Sequence, residues 1–355
     1  MNNKMSIRIG TRASKLAMLQ TQSIIARLHQ QWPTLDMQIE QIHTLGDRNT
    51  TMPLSAIGGD GVFVMEIERP LLEGRIDLAV HSLKDLPTAQ PAGLRTCVVA
   101  GREDARDVLV WNEQYASFGN SFIADQGGDK RDNQGGACPR PGYAGENVSS
   151  QLRVGTCSLR RTAQLRALLP DIEILPLRGN VDTRLRKLDA GEYDAIVLAA
   201  AGLHRLGARE RVAQRVTYLP FDVMLPAPGQ GALSLEMRDE EPVRELVAPL
   251  RDSALAATTS AERMFMRHLG AGCYLPIAAY GEIEYDKLTL QGLVISLDGK
   301  EQVRVRSSIP WTAQTNVEYA EQLGVQLAEQ ALAQGAAEII ETVNERRVRE
   351  HASLD

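Results

Sequence analysis

The sequence has no long apolar run, no cysteines at metal or redox spacing, and no excess of basic charge. Its longest apolar stretch, near Ala195 to Leu203, falls well short of the roughly 18 residues a membrane span needs. Met1 to Gly10 lacks an apolar core and a cleavage site, so no export signal is expected. The four cysteines, at 97, 138, 157 and 273, form no Cys-x-x-Cys pair, which argues against zinc or a redox dithiol. Four are also too few for a disulfide framework in a chain of 355 residues. A net charge of -6 argues against general nucleic-acid binding. These absences together point to a reduced, cytosolic protein with no membrane, nucleic-acid or metal partner.

What is present is an α/β pattern long enough for two or three domains, with 43% hydrophobic residues to fill their cores. Ile76 to Val80 reads as a buried strand, and Val80-His81-Ser82-Leu83-Lys84-Asp85-Leu86-Pro87 ends it with a Lys and a carboxylate. Open α/β sheets bind ligands at such strand ends. Alone, the octapeptide reads first as an ordinary strand-to-loop turn with a solvated ion pair. Before it, Gly10-Thr11-Arg12-Ala13-Ser14 puts an Arg and a hydroxyl at the start of a helix, where backbone N–H groups favour anions. Strands at 6–10, 37–45, 76–80 and 94–100, with helices between the first three, predict a half-sheet of parallel type. In the helix over 62–73, Val62, Met65, Ile67 and Leu71 are available for packing. The Gly58–Gly61 loop contains Asp60 and lacks the Lys-Ser/Thr ending of a phosphate loop.

A second unit opens at Asp107 to Trp111 and breaks at once. Residues 112–150 carry seven Gly and little periodicity, and read as a surface insertion or a lid. Order resumes at Leu152, and three times a strand meets an Arg near a helix start: at Thr156-Cys157-Ser158-Leu159-Arg160-Arg161, at Arg178 to Arg184, and at Arg205. Between Leu152 and Arg211 eleven Lys or Arg face seven Asp or Glu, a local +4 that points to an anionic ligand. Arg160, Arg161, Arg178, Arg184 and Arg205 are the candidates. Arg166, Arg186, Arg209 and Arg211 read as solvated helix faces. Pro226 to Ala232 looks like a crossing between domains. From about Arg251 a helix, three strands and two helices (317–332 and 336–347) predict an α+β module. Its loop Leu269 to Pro276 holds Cys273, which could be a nucleophile, a covalent tether or an inert thiol.

In order, Gly10-Thr11-Arg12-x-Ser14, Val80 to Pro87, Gly155 to Arg161, Arg178-Gly179-Asn180-Val181, Ala201-Gly202-Leu203-x-Arg205-Leu206, Pro228-Gly229-Gln230-Gly231-Ala232 and Gly272-Cys273-x-x-Pro276 resemble the porphobilinogen deaminase (hydroxymethylbilane synthase) family. The resemblance covers nearly the whole chain apart from the insertion. It implies two periplasmic-binding-protein-like α/β domains around a cleft, 1–104 with 225–248 and 105–224, and a C-terminal α+β domain at 250–355. It implies a cytoplasmic monomeric transferase of haem and chlorophyll biosynthesis. Four porphobilinogen molecules are condensed head to tail to hydroxymethylbilane, with loss of ammonia. The cofactor would be a dipyrromethane made from substrate and joined to Cys273 by a thioether.

By the same resemblance Asp85 is the catalytic carboxylate. Lys84, Thr156, Ser158, Arg160, Arg161 and Arg205 hold the cofactor, while Arg12, Ser14, Arg178 and Arg184 hold the incoming substrate. The chain departs from the family at Asp60 and Met65, where Lys is frequent, so that loop is expected to add no positive charge. It departs also at Cys157, where Ser is frequent, in Gly270-Ala271 before the Cys loop's Gly272, and in the length of the insertion. Two other readings are a carrier of small anions and a Cys-dependent acyl-transfer enzyme using His81 or His204.

Overall fold

The computed structural model describes residues 6–42, 62–116, 152–270, 274–312 and 316–352. Asp60, Cys138, Cys273 and all of the 112–150 insertion beyond Ala116 lie outside the described residues.

The first lobe contains β1 (Ser6–Arg12), α1 (Lys15–Gln31), β2 (Asp36–Ile42), α2 (Val62–Leu72), β3 (Leu78–Ser82) and β4 (Leu94–Val99). Ser14 starts α1, its side chain accepting the Ala17 N–H at 3.3 Å. The second lobe contains β5 (Asp107–Trp111), β6 (Arg153–Gly155), α3 (Leu159–Leu168), β7 (Glu173–Leu175), α4 (Val181–Asp189), β8 (Ala195–Ala199), α5 (Ala200–Arg205) and β9 (Val216–Tyr218). The chain then returns to the first lobe as β10 (Leu233–Arg238).

The first sheet has the order β2-β1-β3-β10-β4 and the second β7-β6-β8-β5-β9. These orders correspond strand for strand. In each sheet three strands pair in parallel, and the strand that has just crossed from the other lobe enters fourth, antiparallel to both neighbours. The expected parallel half-sheet is therefore corrected to a mixed one. The intruder β10 lies some 150 positions further along the chain, beyond the reach of a local pattern. The two expected α/β lobes are present, each built on its own five-stranded sheet.

Apolar residues fill both faces of each sheet. Ile24 and Leu28 of α1 pack on Ile9, Val80 and Leu235, and Ile67 and Leu71 of α2 pack on Ile76 and Ala79. Met65 does not join them: it is 58% exposed, because Val64, Ile67 and Leu71 take the inward face of the helix.

The third domain is α6 (Ser253–His268), an antiparallel sheet β11 (Ile277–Glu284), β12 (Lys287–Ile295) and β13 (Gln302–Pro310), then α7 (Val317–Ala331) and α8 (Ala337–Ala352). Phe265 is fully buried in its core, and a side chain on Gly292 would collide with that ring. A π-type turn over Leu332–Ala336, with Gly335 at φ 99°, kinks α7 into α8.

Candidate active site

The turn that carries Lys84 and Asp85 begins where β3 ends. Leu83 and Leu86 are buried with Val64, Ala232 and Leu255. Anchoring these two apolar residues turns Lys84 and Asp85 toward the cleft. Asp85 is exposed, and its charge acts on Lys84 beside it and on Arg184 across the cleft. Lys84 donates to Gln230 Oε1 at 3.3 Å. Its pKa is pushed down to about 8, mainly by burial and also by the charges of Arg161 and Arg160, against Asp85 and Asp107.

The second lobe supplies a cationic wall built on one carboxylate. Asp107 opens β5 and is fully buried. Arg160 Nη1 donates to its Oδ2 at 2.7 Å, and Arg161 Nη2 and Nε donate to its Oδ1 at 2.7 and 3.1 Å. Burial alone would raise the Asp107 pKa, but the two guanidinium charges and their hydrogen bonds override it and hold the carboxyl far below the usual range. Gln230 locks the lobes together here. Its Nε2 donates to Asp107 Oδ1 at 3.0 Å and to Ala105 O at 2.7 Å, while its Oε1 takes Lys84. Arg160, Arg161 and Lys84 thus outnumber Asp107 and Asp85 here, a surplus that a bound anion would balance.

Further residues border this wall. Arg184 Nε donates to Gly179 O at 2.8 Å, and burial and then Arg161 lower its pKa. Arg205 Nη2 donates to Gly231 O at 2.6 Å, its pKa lowered by burial against Glu103. Cys157 is exposed. Ser158 caps α3 without a side-chain cap bond, whereas Thr156 is buried and accepts the Ser158 N–H at 3.1 Å. Thr156 therefore shapes the junction from within. Arg12, Ser14 and Arg178 are half-buried at the matching strand ends. Leu16 of α1 approaches Gly202 of α5, so the two lobes meet close to these strand ends.

Both crossings meet the third domain at a buried carboxylate. Glu262 is fully buried and takes Arg102 through two hydrogen bonds, at 2.7 and 3.2 Å. It also accepts the N–H groups of Gly229 (2.6 Å) and Gly281 (2.8 Å). Gly231 has φ 87°, and a side chain there would strike the Glu103 carbonyl.

In the sequence Gln230 reads only as part of a turn and Asp107 only as the start of a strand, and no local pattern marks Glu262 or Arg102. The available signal was an Asp opening an apolar strand, since a buried charge requires partners. Among the described residues both histidines already have polar partners, while Cys273, the thiol of the acyl-transfer reading, lies outside them. His81 Nε2 lies 2.9 Å from buried Glu236, and the ring nitrogens of His204 lie 2.9 Å from Glu103 and 2.7 Å from the Tyr218 hydroxyl. Among the described residues no group of three or more His, Cys, Asp or Glu could hold a metal ion.

Two family models match: "Porphobilinogen deaminase, dipyromethane cofactor binding domain" over residues 7–245 and "Porphobilinogen deaminase, C-terminal domain" over 256–333. The porphobilinogen deaminase of Syntrophus aciditrophicus is 43% identical over 94% of this chain and 98% of its own. That of Deinococcus radiodurans is 42% identical over 96% of this chain and 99% of its own. Among solved structures, the BenM effector-binding domain with benzoate aligns over 70% of this chain and 90% of its own, at 16% identity and a TM-score of 0.37.

Proposed function

The chain belongs to the porphobilinogen deaminase family, with that activity in tetrapyrrole biosynthesis, and on this premise we propose that Asp85 is its catalytic carboxylate. One observation carries the reading: the exposed Asp85 adjoins Lys84 and acts electrostatically on Arg184, while Lys84 in turn lies within reach of the charges of Arg160 and Arg161. Each porphobilinogen brings an acetate and a propionate. Its condensation develops positive charge on a pyrrole as ammonia leaves. The wall suits the carboxylates, and Asp85 suits the developing cation. Charge stabilisation and proton transfer by such a group are worth roughly 10²–10⁴ in rate.

The residues present fit a cofactor rich in carboxylates. Arg160 binds Asp107 and Leu225 O through Nη1 alone, and among the described residues its Nε and Nη2 make no hydrogen bond. The Ser158 hydroxyl is not used in capping. Lys84, Ser158, Arg160, Arg161 and Arg205 would hold dipyrromethane, with Thr156 shaping the junction behind them. Cys273 would carry the thioether. When bound, the group supplies the pyrrole carbon on which condensation begins. Arg12, Ser14, Arg178 and Arg184 would receive the carboxylates of incoming substrate.

We place the domains at 1–104 with 225–248, 105–224 and 250–355, a division supported by the membership of the three sheets. A monomer is proposed because one chain supplies both walls of the cleft. A cytosolic location is proposed because the free thiols of Cys97 and Cys157 suit a reducing compartment.

Asp85→Asn tests the assignment, because it removes the charge and keeps the shape. Turnover should fall by about 10² or more with the thermal midpoint unchanged. Near-normal bilane production would contradict the role of Asp85. Intact mass with peptide mapping tests the tether: two linked pyrrole units should map to Cys273.

A further inference from the structure

We propose that Arg263 is a positioning residue for the condensation, tying the turn that carries Asp85 to the helix that leads to Cys273. The proposal rests on the reading of Asp85 given above. Arg263 belongs to α6 of the third domain and reaches into the first lobe. Its Nη1 donates to the carbonyls of Leu86 (3.0 Å) and Leu83 (3.3 Å), and its Nη2 to that of Pro87 (2.5 Å). One planar guanidinium therefore gathers main-chain oxygens from both sides of Asp85, a fit that its fixed fork of donors allows.

Besides the burial of the Leu83 and Leu86 side chains, two main-chain bonds among the described residues hold this turn. The Leu83 N–H donates to Ala232 O at 3.0 Å and the Leu86 N–H to Leu83 O at 3.2 Å. Asp85 is exposed, so the direction of its backbone sets where its carboxylate points. One position earlier on the same helix, Glu262 gathers Arg102, Gly229 and Gly281. Adjacent residues of α6 thus hold the crossing between lobes and the catalytic turn. Cys273 follows Arg263 by ten positions. This arrangement holds the turn that carries Asp85 directly against α6. A misplacement of about 1 Å at a reacting centre can cost about 10²-fold in rate.

The test uses the holoenzyme with Arg263→Met and Arg263→Lys. The methionine variant should lose about ten- to a hundredfold in kcat, with KM changed less than about threefold. Amide exchange at Leu83 and Leu86 should accelerate about tenfold or more, with β8 unaffected. The lysine variant should recover part of both, since an ammonium can reach one or two of the carbonyls. In an Asp85→Glu background, where the carboxylate is already displaced, Arg263→Met should cost less than about threefold. Unchanged exchange at the turn, or an equal loss in the Asp85→Glu background, would overturn the proposal. Should the methionine variant fail to fold, the lysine variant carries the same exchange comparison. Active Asp85→Asn enzyme would remove the catalytic reading alone, while accelerated exchange in Arg263→Met would still support the tie to the turn.

Discussion

In the first lobe the strand-to-helix junction Gly10–Ser14 closes on itself; in the second, the matching junction Gly155–Ser158 stays open. Both begin with a glycine packed too tightly for a side chain, against Ile76 in one lobe and Tyr193 in the other. Both continue with a buried threonine. Then they diverge. Ser14 spends its hydroxyl on capping α1, whereas the Ser158 hydroxyl makes no cap bond at the start of α3. The inserted strands diverge in the same way. Both β10 and β5 bring a buried carboxylate, but Glu236 meets the imidazole of His81 under the sheet, while Asp107 meets two guanidinium groups at the cleft. One duplicated architecture thus yields an acidic turn on one side and a cationic wall on the other. The difference lies in what each junction leaves unpaired.

Removing the carboxylate from the second lobe should break this comparison most severely. Asp107→Asn keeps the shape but leaves Arg160 and Arg161 buried without their counter-charge. Because guanidinium cannot shed its proton, the expected loss is about 3–5 kcal/mol, read as a lowered urea midpoint. A loss under about 1 kcal/mol would mean that solvent already screens the pair, as it does for surface ion pairs.

Lys84 gives the next effect, and its sign follows from burial. In a Cys273→Ser protein, which has no thiol at the proposed attachment site, the native pKa of about 8 lies below the ordinary 10.5. Between those pH values the unfolded chain keeps a proton that the native state has released. Stability should therefore rise with pH through this window, by up to about 3 kcal/mol, and Lys84→Met should flatten the rise. Persistence of the slope in Lys84→Met would assign it to another group.

Local pattern was enough to read the first-lobe turn, the Arg-bearing helix starts and the third domain, because each is a short run whose meaning is set within a few residues. Lys84 and Asp85 announce themselves as charges ending an apolar strand. Asp107 and Gln230 did not, although they organise the wall. Asp107 looks like the first residue of a strand, and its partners lie more than 50 positions away. Gln230 looks like part of a turn, yet its three contacts tie three separate stretches together. The sheet order was hidden for the same reason. A strand inserted from the far side of a second lobe leaves no trace in the periodicity of its future neighbours. The arginines were legible as a group from local charge, but not their division of labour, since burial decides which of them Asp107 engages.

The smallest effect sharpens the comparison of junctions. Cys157 occupies the second lobe's junction next to Ser158, as an exposed thiol whose charge would be felt by Arg184 and Tyr193. Because it is exposed, Cys157→Ser should change stability by less than about 0.5 kcal/mol. Turnover should be unchanged, and the pyrrole adduct should stay on the peptide containing Cys273. If the adduct disappears instead, the attachment lies on Cys157. The second lobe would then carry the covalent link as well as the carboxylate wall, leaving the first lobe Asp85 and the third domain a structural support.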